Sequence, residues 1–357
     1  MTEEEKLFLL LSQFEISNKK VEKILDELGE HISIGRFFKI KDLAKILGEE
    51  LYANMLVCAS EVRLRQYQRN LEESGITLLT IFSKNYPEKL AFLPDKPYFL
   101  FCKGDLSLLN KKSIAIVGSR MPSNYGRMMT DRFAGQLAQS GVVIVSGLAY
   151  GVDSIAHRKA LEVGGKTIAV LGSGFNNIYP AEHQSLADTI AKEGLLISEY
   201  CPSMKATRYS FPQRNRIIAG LSDGVLITEA GIKSGTIHTK DFALDYGREI
   251  FAIPGNITSE KSQLPNDIIR SGQGECVLCV EDILSSLGMS KTEQPKKQMQ
   301  LSFEEQEIVN LLSNGDFDIE YLSKNCNLKV NILNSCLTTL EIRGIIRRLP
   351  GEVYSLI

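Results

Sequence analysis

The stretch SIAIVGSRMPSNYGRMMTDRFAGQLAQSGVVIVSG, residues 113–147, decides the fold. It opens on an apolar run, turns at Gly118-Ser119-Arg120, carries a helical pattern from Tyr125 to Gln139, and closes on a second apolar run, VVIVSG. Strand, helix-length segment and strand in that order make the βαβ unit of a parallel sheet. The pattern continues through TIAVLGS (167–173), LLISE (195–199), GVLITEA (224–230), EIFAIPG (249–255) and ECVLCV (275–280). Continuous apolar strands parted by amphipathic segments belong to a sheet covered on both faces, so residues 76–287 read as a doubly wound α/β domain. Ligands of such sheets bind at the carboxyl ends of the strands, where glycine and polar residues crowd here.

Outward from this block the pattern changes. Residues 1–75 read as short helices over 3–14, 18–29, 41–47 and 49–73, broken by Gly29, Gly35 and Gly48, a small helical module of sterile-alpha-motif (SAM-like) or helix-hairpin-helix type. Residues 76–110, with Pro87, Pro94 and Pro97 among apolar groups, read as an extended lead-in. GMSKTEQPKKQMQ, polar and proline-containing, makes residues 288–300 a linker. Residues 301–357 then show three helix patterns and two short strands turning at Pro350-Gly351, the outline of a winged helix. Its third helix, LKVNILNSCLTTLEIRG, carries little positive charge, which favours a protein contact over groove reading.

Composition bounds the function classes. The 357 residues hold 41 Lys plus Arg against 43 Asp plus Glu, which excludes a uniformly basic coat for duplex DNA but leaves room for a local basic cleft. Seven cysteines without regular spacing argue against a disulfide framework and for a reducing compartment. The acidic, amphipathic N-terminus MTEEEKLFLLLSQ lacks the basic start of a signal peptide, and no apolar stretch approaches the ~20 residues of a membrane span. A soluble, cytoplasmic protein is expected.

Several strand ends could carry chemistry. Gly118 allows close approach of a ligand to the backbone, the Ser119 hydroxyl can donate to a phosphate oxygen, and Arg120 offers a planar charged fork. A tight turn with a surface arginine explains the same residues equally well. In SGLAYGVDSIAH (146–157), Asp153 and His157 stand one helical turn apart, which suits an N-terminal acid and a helix-face partner better than a catalytic triad, and the elbow G-x-S-x-G is absent. Gly172-Ser173-Gly174 lacks the third glycine of a dinucleotide fingerprint, and no Walker A loop is present. Cys276 and Cys279, without a second pair, read as buried strand thiols rather than a zinc site, so no metal or cofactor is expected.

The stretch 203–240 is the most informative for function. It holds Lys205, Arg208, Arg214, Arg216, Lys233 and Lys240 against only Asp223 and Glu229, a local balance of six minus two, or +4. Tyr209 and Phe211 lie among these cations, an arrangement suited to single-stranded nucleic acid, whose phosphates pair with cations while unpaired bases stack on rings. Lys233, Ser234, Gly235 and Thr236, where a strand meets its helix, form a candidate phosphate nest. The competing reading has Arg214 or Arg216 bonded internally to Glu229 or Asp223, with Phe211 in the core; at least one of the two arginines is expected to be structural.

GSR (118–120), SGLAYGVDSIAH (146–157), FPQRNRIIAGLSD (211–223) and TEAGIKSGTIHT (228–239), in this order, resemble the DNA-processing protein A family (DprA, also called Smf) over residues of about 80–285. The resemblance implies an extended Rossmann-like fold that binds single-stranded DNA, protects incoming DNA in natural transformation, helps load the RecA recombinase, and acts as a homodimer through the α/β domain without catalysis. It implies Gly118, Ser119, Arg120, Lys233, Ser234, Gly235 and Thr236 around a phosphate pocket, Arg208 as a basic DNA contact and Phe211 as a base contact. Arg214, Asn215 and Arg216 belong to the shared motif, with contact and support not divided among them. Two alternatives compete. One is a nucleotide phosphoribohydrolase of the lysine-decarboxylase-like fold, against which Thr239 stands where that chemistry wants a glutamate. The other is a protein adaptor whose core never touches DNA.

Overall fold

The computed structural model describes residues 2–289 and 301–356, apart from 314, 327, 343 and 350. Two compact units divide the chain, Met1–Lys291 and Thr292–Ile357; most of the expected linker, residues 290–300, lies outside the described residues.

The first unit begins with six helices, α1 (Glu3–Leu11), α2 (Asn18–Leu28), α3 (Ile34–Phe37), α4 (Leu43–Leu47), α5 (Glu49–Cys58) and α6 (Glu61–Glu73). The boundaries follow local chemistry. Thr2 and Glu5 close a capping box on α1, Gly29 and Gly48 end α2 and α4 at positive φ, and Ser60 caps α6. The chain then enters β1 (Thr77–Thr80), the short α7 (Glu88–Ala91) and β2 (Phe99–Gly104), two strands where an extended lead-in was expected. The three prolines of this segment fall outside both strands, so neither ladder loses a donor.

From β3 (Ser113–Val117) the alternation expected from the sequence holds: α8 (Asn124–Gln139), β4 (Val143–Ser146), α9 (Val152–Glu162), β5 (Thr167–Leu171), α10 (Gln184–Glu193), β6 (Leu195–Ser198), α11 (Ser210–Leu221), β7 (Gly224–Ile227), α12 (Thr236–Asp245), β8 (Glu249–Ala252), α13 (Gln263–Arg270), β9 (Glu275–Cys276) and α14 (Val280–Ser286). The strands form one sheet in the order β1-β2-β6-β5-β4-β3-β7-β8-β9. The seven from β6 to β9 are parallel, whereas β2 pairs antiparallel with β6 and β1 with β2. The run ECVLCV yields only two strand residues. Asp282 accepts hydrogen bonds from the Leu278 and Cys279 amides at 2.8 and 3.0 Å and starts α14 there. Cys276 is consequently exposed and Cys279 half-buried, not the buried strand thiols expected.

Every central strand buries both faces. Ala115 and Val117 of β3 pack with Ile217, Ile218 and Leu221 of α11, while Ile114 and Ile116 pack with Phe133 and Leu137 of α8 and Ala156 of α9. On β2 the same alternation serves two cores: Leu100 and Cys102 join the central one, and Phe99 and Phe101 join Phe8, Ile24, Phe37 and Met55 of the N-terminal helices. The helical segment therefore shares a core with the sheet.

The second unit contains α15 (Phe303–Leu312), β10 (Phe317–Asp318), α16 (Ile319–Asn325), α17 (Val330–Ile342), β11 (Ile346–Leu349) and β12 (Val353–Leu356), with the strands ordered β10-β12-β11. Three helices and a small antiparallel sheet enclose a core of Ile308, Leu322, Leu333, Leu337 and Tyr354. Of the expected hairpin turn, Pro350 lies outside the described residues, and Gly351 adopts φ +88°.

Truncating Phe101, fully buried between β2 and the N-terminal helices, is expected to cost about 3–5 kcal/mol. Denaturant unfolding of Phe101→Ala checks this; a loss below about 1 kcal/mol would show that the helices do not depend on that core.

Candidate nucleic-acid interface

The chain runs outward from β3 through β4 and β5 to β6, then returns to place β7 on the other side of β3. The carboxyl ends of β3 and β7 thus flank the point where strand order reverses, the place at which an open α/β sheet leaves a crevice. A cleft of about 600 Å³ occupies it, lined by Gly118, Ser119, Arg120, Arg208, Phe211, Arg214, Asn215, Ser234, Gly235 and Thr236 among others. Ten of the twelve residues singled out from the sequence therefore meet in one cleft. Lys233 is exposed beside it without lining it, and Arg216 lies elsewhere.

Close packing holds the first wall. A Cβ on Gly118 would stand 2.7 Å from both the Glu229 carbonyl oxygen and the Val152 side chain, and one on Gly151 would meet the Ser119 carbonyl at 2.4 Å. Gly151 also has φ +74°, a conformation that favours glycine. The Ser119 amide donates to the Glu229 carbonyl at 2.6 Å, and its hydroxyl oxygen accepts from the Met121 amide at 3.1 Å. The hydroxyl proton meets no acceptor among the described residues. Arg120 is exposed, with its guanidinium 5.9 Å from the centre of the Phe211 ring.

The two helix starts at the switch point differ electrically. At α8, the Ser123 amide and hydroxyl donate to the buried Glu229 carboxylate at 2.8 and 2.6 Å, and a Cβ on Gly126 would collide with that carboxylate. An internal anion already satisfies this N-terminus, the one that holds the pyrophosphate in dinucleotide-binding sheets. At α12, Gly235 stands at the N-cap with no side-chain cap, and the first turn carries no acid. Its first amides are met by neutral oxygens only, those of Thr236 and Ile237 by the Ser234 hydroxyl and carbonyl at 3.3 and 3.1 Å, so no internal anion among the described residues sits at this N-terminus beside Ser234, Gly235 and Thr236.

Helix α11 sorts its side chains by spacing. Phe211, Arg214, Asn215 and Ile218, at i, i+3, i+4 and i+7, all line the cleft. Phe211 is half-buried over the bare Cα of Gly172, where a Cβ would stand 2.9 Å from the ring. Arg214 is only 4% exposed; its Nη1 donates to the Gly147 carbonyl at 2.5 Å and to the Val170 carbonyl, and a Cβ on Gly147 would overlap its guanidinium. Burial pushes its pKa down to about 10, while the neighbouring Asp153 carboxylate supports its charge. Asp153 accepts from the Gly147 and Ala149 amides at 3.1 and 3.4 Å; burial raises its carboxyl pKa against the opposing effect of Arg214 and those amides. His157 is buried against the Thr167 hydroxyl at 2.6 Å, and desolvation lowers its pKa to about 3. These are the bonds of a floor rather than a triad.

Arg216 projects from the other side of α11. It is 2% exposed, donates to both Glu199 carboxylate oxygens at 2.5 Å and reaches the Asp95 carbonyl at 2.6 Å. Burial disfavours its charge, but Glu199 and Asp95 outweigh this and raise its pKa. The internal partners weighed from the sequence are thus corrected. Glu229 binds Ser123, and Asp223 binds the Ser113 amide at 2.8 Å and Lys89 at 2.6 Å. Glu199 follows the apolar strand β6 with no motif around it, so local sequence carries no signal for its role. His238 and Thr239 also line the cleft, the latter buried with a hydroxyl where a phosphoribohydrolase would need a carboxylate.

A doubly wound sheet with its open cleft at the switch point defines a Rossmann-like binding protein. Residues 77–288 match the family model described as DNA recombination-mediator protein A, and residues 292–352 match a DprA winged helix domain. The chain belongs to the DNA recombination-mediator protein A family. It is 42% identical to the DNA processing protein DprA of Bacillus subtilis over 60% of this chain and 72% of that one, and 38% identical to protein Smf of Escherichia coli over 79% and 78%. The crystal structure of DprA from Streptococcus pneumoniae superposes with a TM-score of 0.63 at 33% identity, covering 80% of this chain and 98% of that one. DNA processing protein A from Helicobacter pylori, solved for its single-stranded DNA binding mode, gives 0.55 at 33% identity over 59% and 95%.

Replacing Arg216 by Met leaves the half-buried Glu199 without its cation, an expected loss of about 2–4 kcal/mol, toward the lower side of what a fully buried pair would cost. The pair Arg216→Met with Glu199→Gln is expected to recover most of it. Thermal unfolding of both variants decides; equal losses would show that the ion pair is not what anchors this face of α11.

Proposed function

We propose that the protein binds single-stranded DNA in the switch-point cleft and acts as a recombination mediator, protecting incoming strands and helping to load a RecA-type recombinase. The observation that carries this reading is the pairing, in one cleft, of an exposed arginine over an aromatic ring with a helix N-terminus that holds no internal anion among the described residues. Phosphates suit Ser119, Arg120, Arg208 and the Ser234-Gly235-Thr236 turn, and an unpaired base suits Phe211. Asn215 faces the same space, Lys233 adds charge at the rim, and Arg214 and Arg216 hold α11 in place. Binding of this kind calls for no metal, cofactor or reacting carboxylate. The single-strand mode published for the Helicobacter pylori relative supports the reading. Homodimers joined through the α/β unit, and a protein-contact role for the weakly basic winged helix, complete the proposal.

Titration of labelled single-stranded oligonucleotides between about 50 and 200 mM salt tests it, since each lost phosphate contact lowers the single-strand slope by about 0.7. Arg120→Ala is expected to weaken binding and flatten the slope by that amount with unfolding unchanged. Equal affinity for blunt duplex, or unaltered binding by a folded Arg120→Ala, would contradict the assignment.

A further inference from the structure

Tyr179 belongs to none of the motifs above, yet it stands against the cleft. It sits between β5 and α10, with its ring centre 5.3 Å from that of Phe211 and the two planes at 52°. The Arg120 guanidinium lies 5.9 Å from the centre of the same Phe211 ring. A small recess lined by Arg120, Phe211, Tyr179, Tyr150, Gly147 and Arg214 shares Arg120, Phe211 and Arg214 with the main cleft, so the guanidinium and both rings border a space that adjoins it.

Single exposed aromatics are ordinary on protein surfaces. Tyr179 differs in its placement and its freedom. It is 51% exposed, and its hydroxyl makes no hydrogen bond to the described residues, whereas the nearby Tyr150 is tied through its hydroxyl to Glu182 at 2.6 Å. A cation and two neighbouring rings supply the chemistry that tracks a single strand, in which each base finds a π-face whatever its identity.

We propose that Tyr179 is a second base-stacking platform, which takes the nucleobase next to the one on Phe211 and leads the strand out of the cleft past the carboxyl end of β5. This rests on the single-strand reading of the cleft and adds to it a direction and a subsite for an unpaired base of any type. The ligand class is single-stranded nucleic acid with its bases present, because a sugar–phosphate chain alone offers nothing to stack.

The chain contains no tryptophan, so Tyr179→Trp places one indole in the full-length protein at this position. Oligothymidylate is expected to quench its fluorescence, and an abasic strand of the same length is expected to leave it unchanged. Tyr179→Ala should bind oligothymidylate about tenfold more weakly, with an unchanged salt slope because no charge is lost, and bind the abasic strand as the parent does. Parental affinity in Tyr179→Ala, equal loss on both strands, or equal quenching by both would overturn the platform. With Arg120→Ala weakened in the same series, those results would leave the cleft itself standing. Failure of the parent to bind either strand would remove both.

Discussion

An arginine buried under a glycine sets the geometry of the cleft. The Arg214 guanidinium occupies the space that a side chain at Gly147 would fill and donates to carbonyls at the ends of two neighbouring strands, β4 and β5. Taking a guanidinium out of water is costly, and the two carbonyls and the Asp153 charge offset that cost only while all remain in place. Helix α11 is thereby fixed in height and rotation against the sheet. Its cleft face and its Glu199 face follow from that fixing, and so does the seat of Phe211 on Gly172.

Charge acquires its meaning from the same packing. The region 203–240 carries six basic residues against two acidic ones, but folding withdraws several cations from solution. Arg214 and Arg216 are buried, and Lys240 pairs with Asp241 at 2.8 Å. Arg120 and Arg208 remain at the cleft, with Lys233 exposed beside it. A balanced total of 41 basic and 43 acidic groups is thus compatible with a narrow basic groove, because position rather than sum decides what a phosphate meets.

Much of this was legible in the sequence, and for identifiable reasons. Continuous apolar runs show a buried parallel strand directly, and glycine and hydroxyl residues at their ends mark the ligand side. What escaped were features set by distant partners. β1 and β2 hid among prolines because β1 pairs only with β2, and β2 is held in the sheet by β6, far along the chain; β9 was cut short by the side chain of Asp282. Arg214 and Arg216 are two residues apart on a helix, about 200° around its axis, so their opposite orientations were available from spacing alone. Which one faced the cleft was not, since that depends on Glu199 and Gly147. Tyr179 joins Phe211 across 32 positions, a contact no local pattern encodes.

The central claim is that the switch-point cleft, and not the winged helix, holds the nucleic acid. Ultraviolet crosslinking of the full chain to oligonucleotides carrying 4-thiothymidine, followed by mass spectrometry of the joined peptides, tests it most directly. The account predicts adducts in the peptides that contain Ser119 and Arg120, Arg208 to Phe211, and Ser234 to Thr236. Adducts confined to residues 302–356, with none in those three peptides, would contradict it.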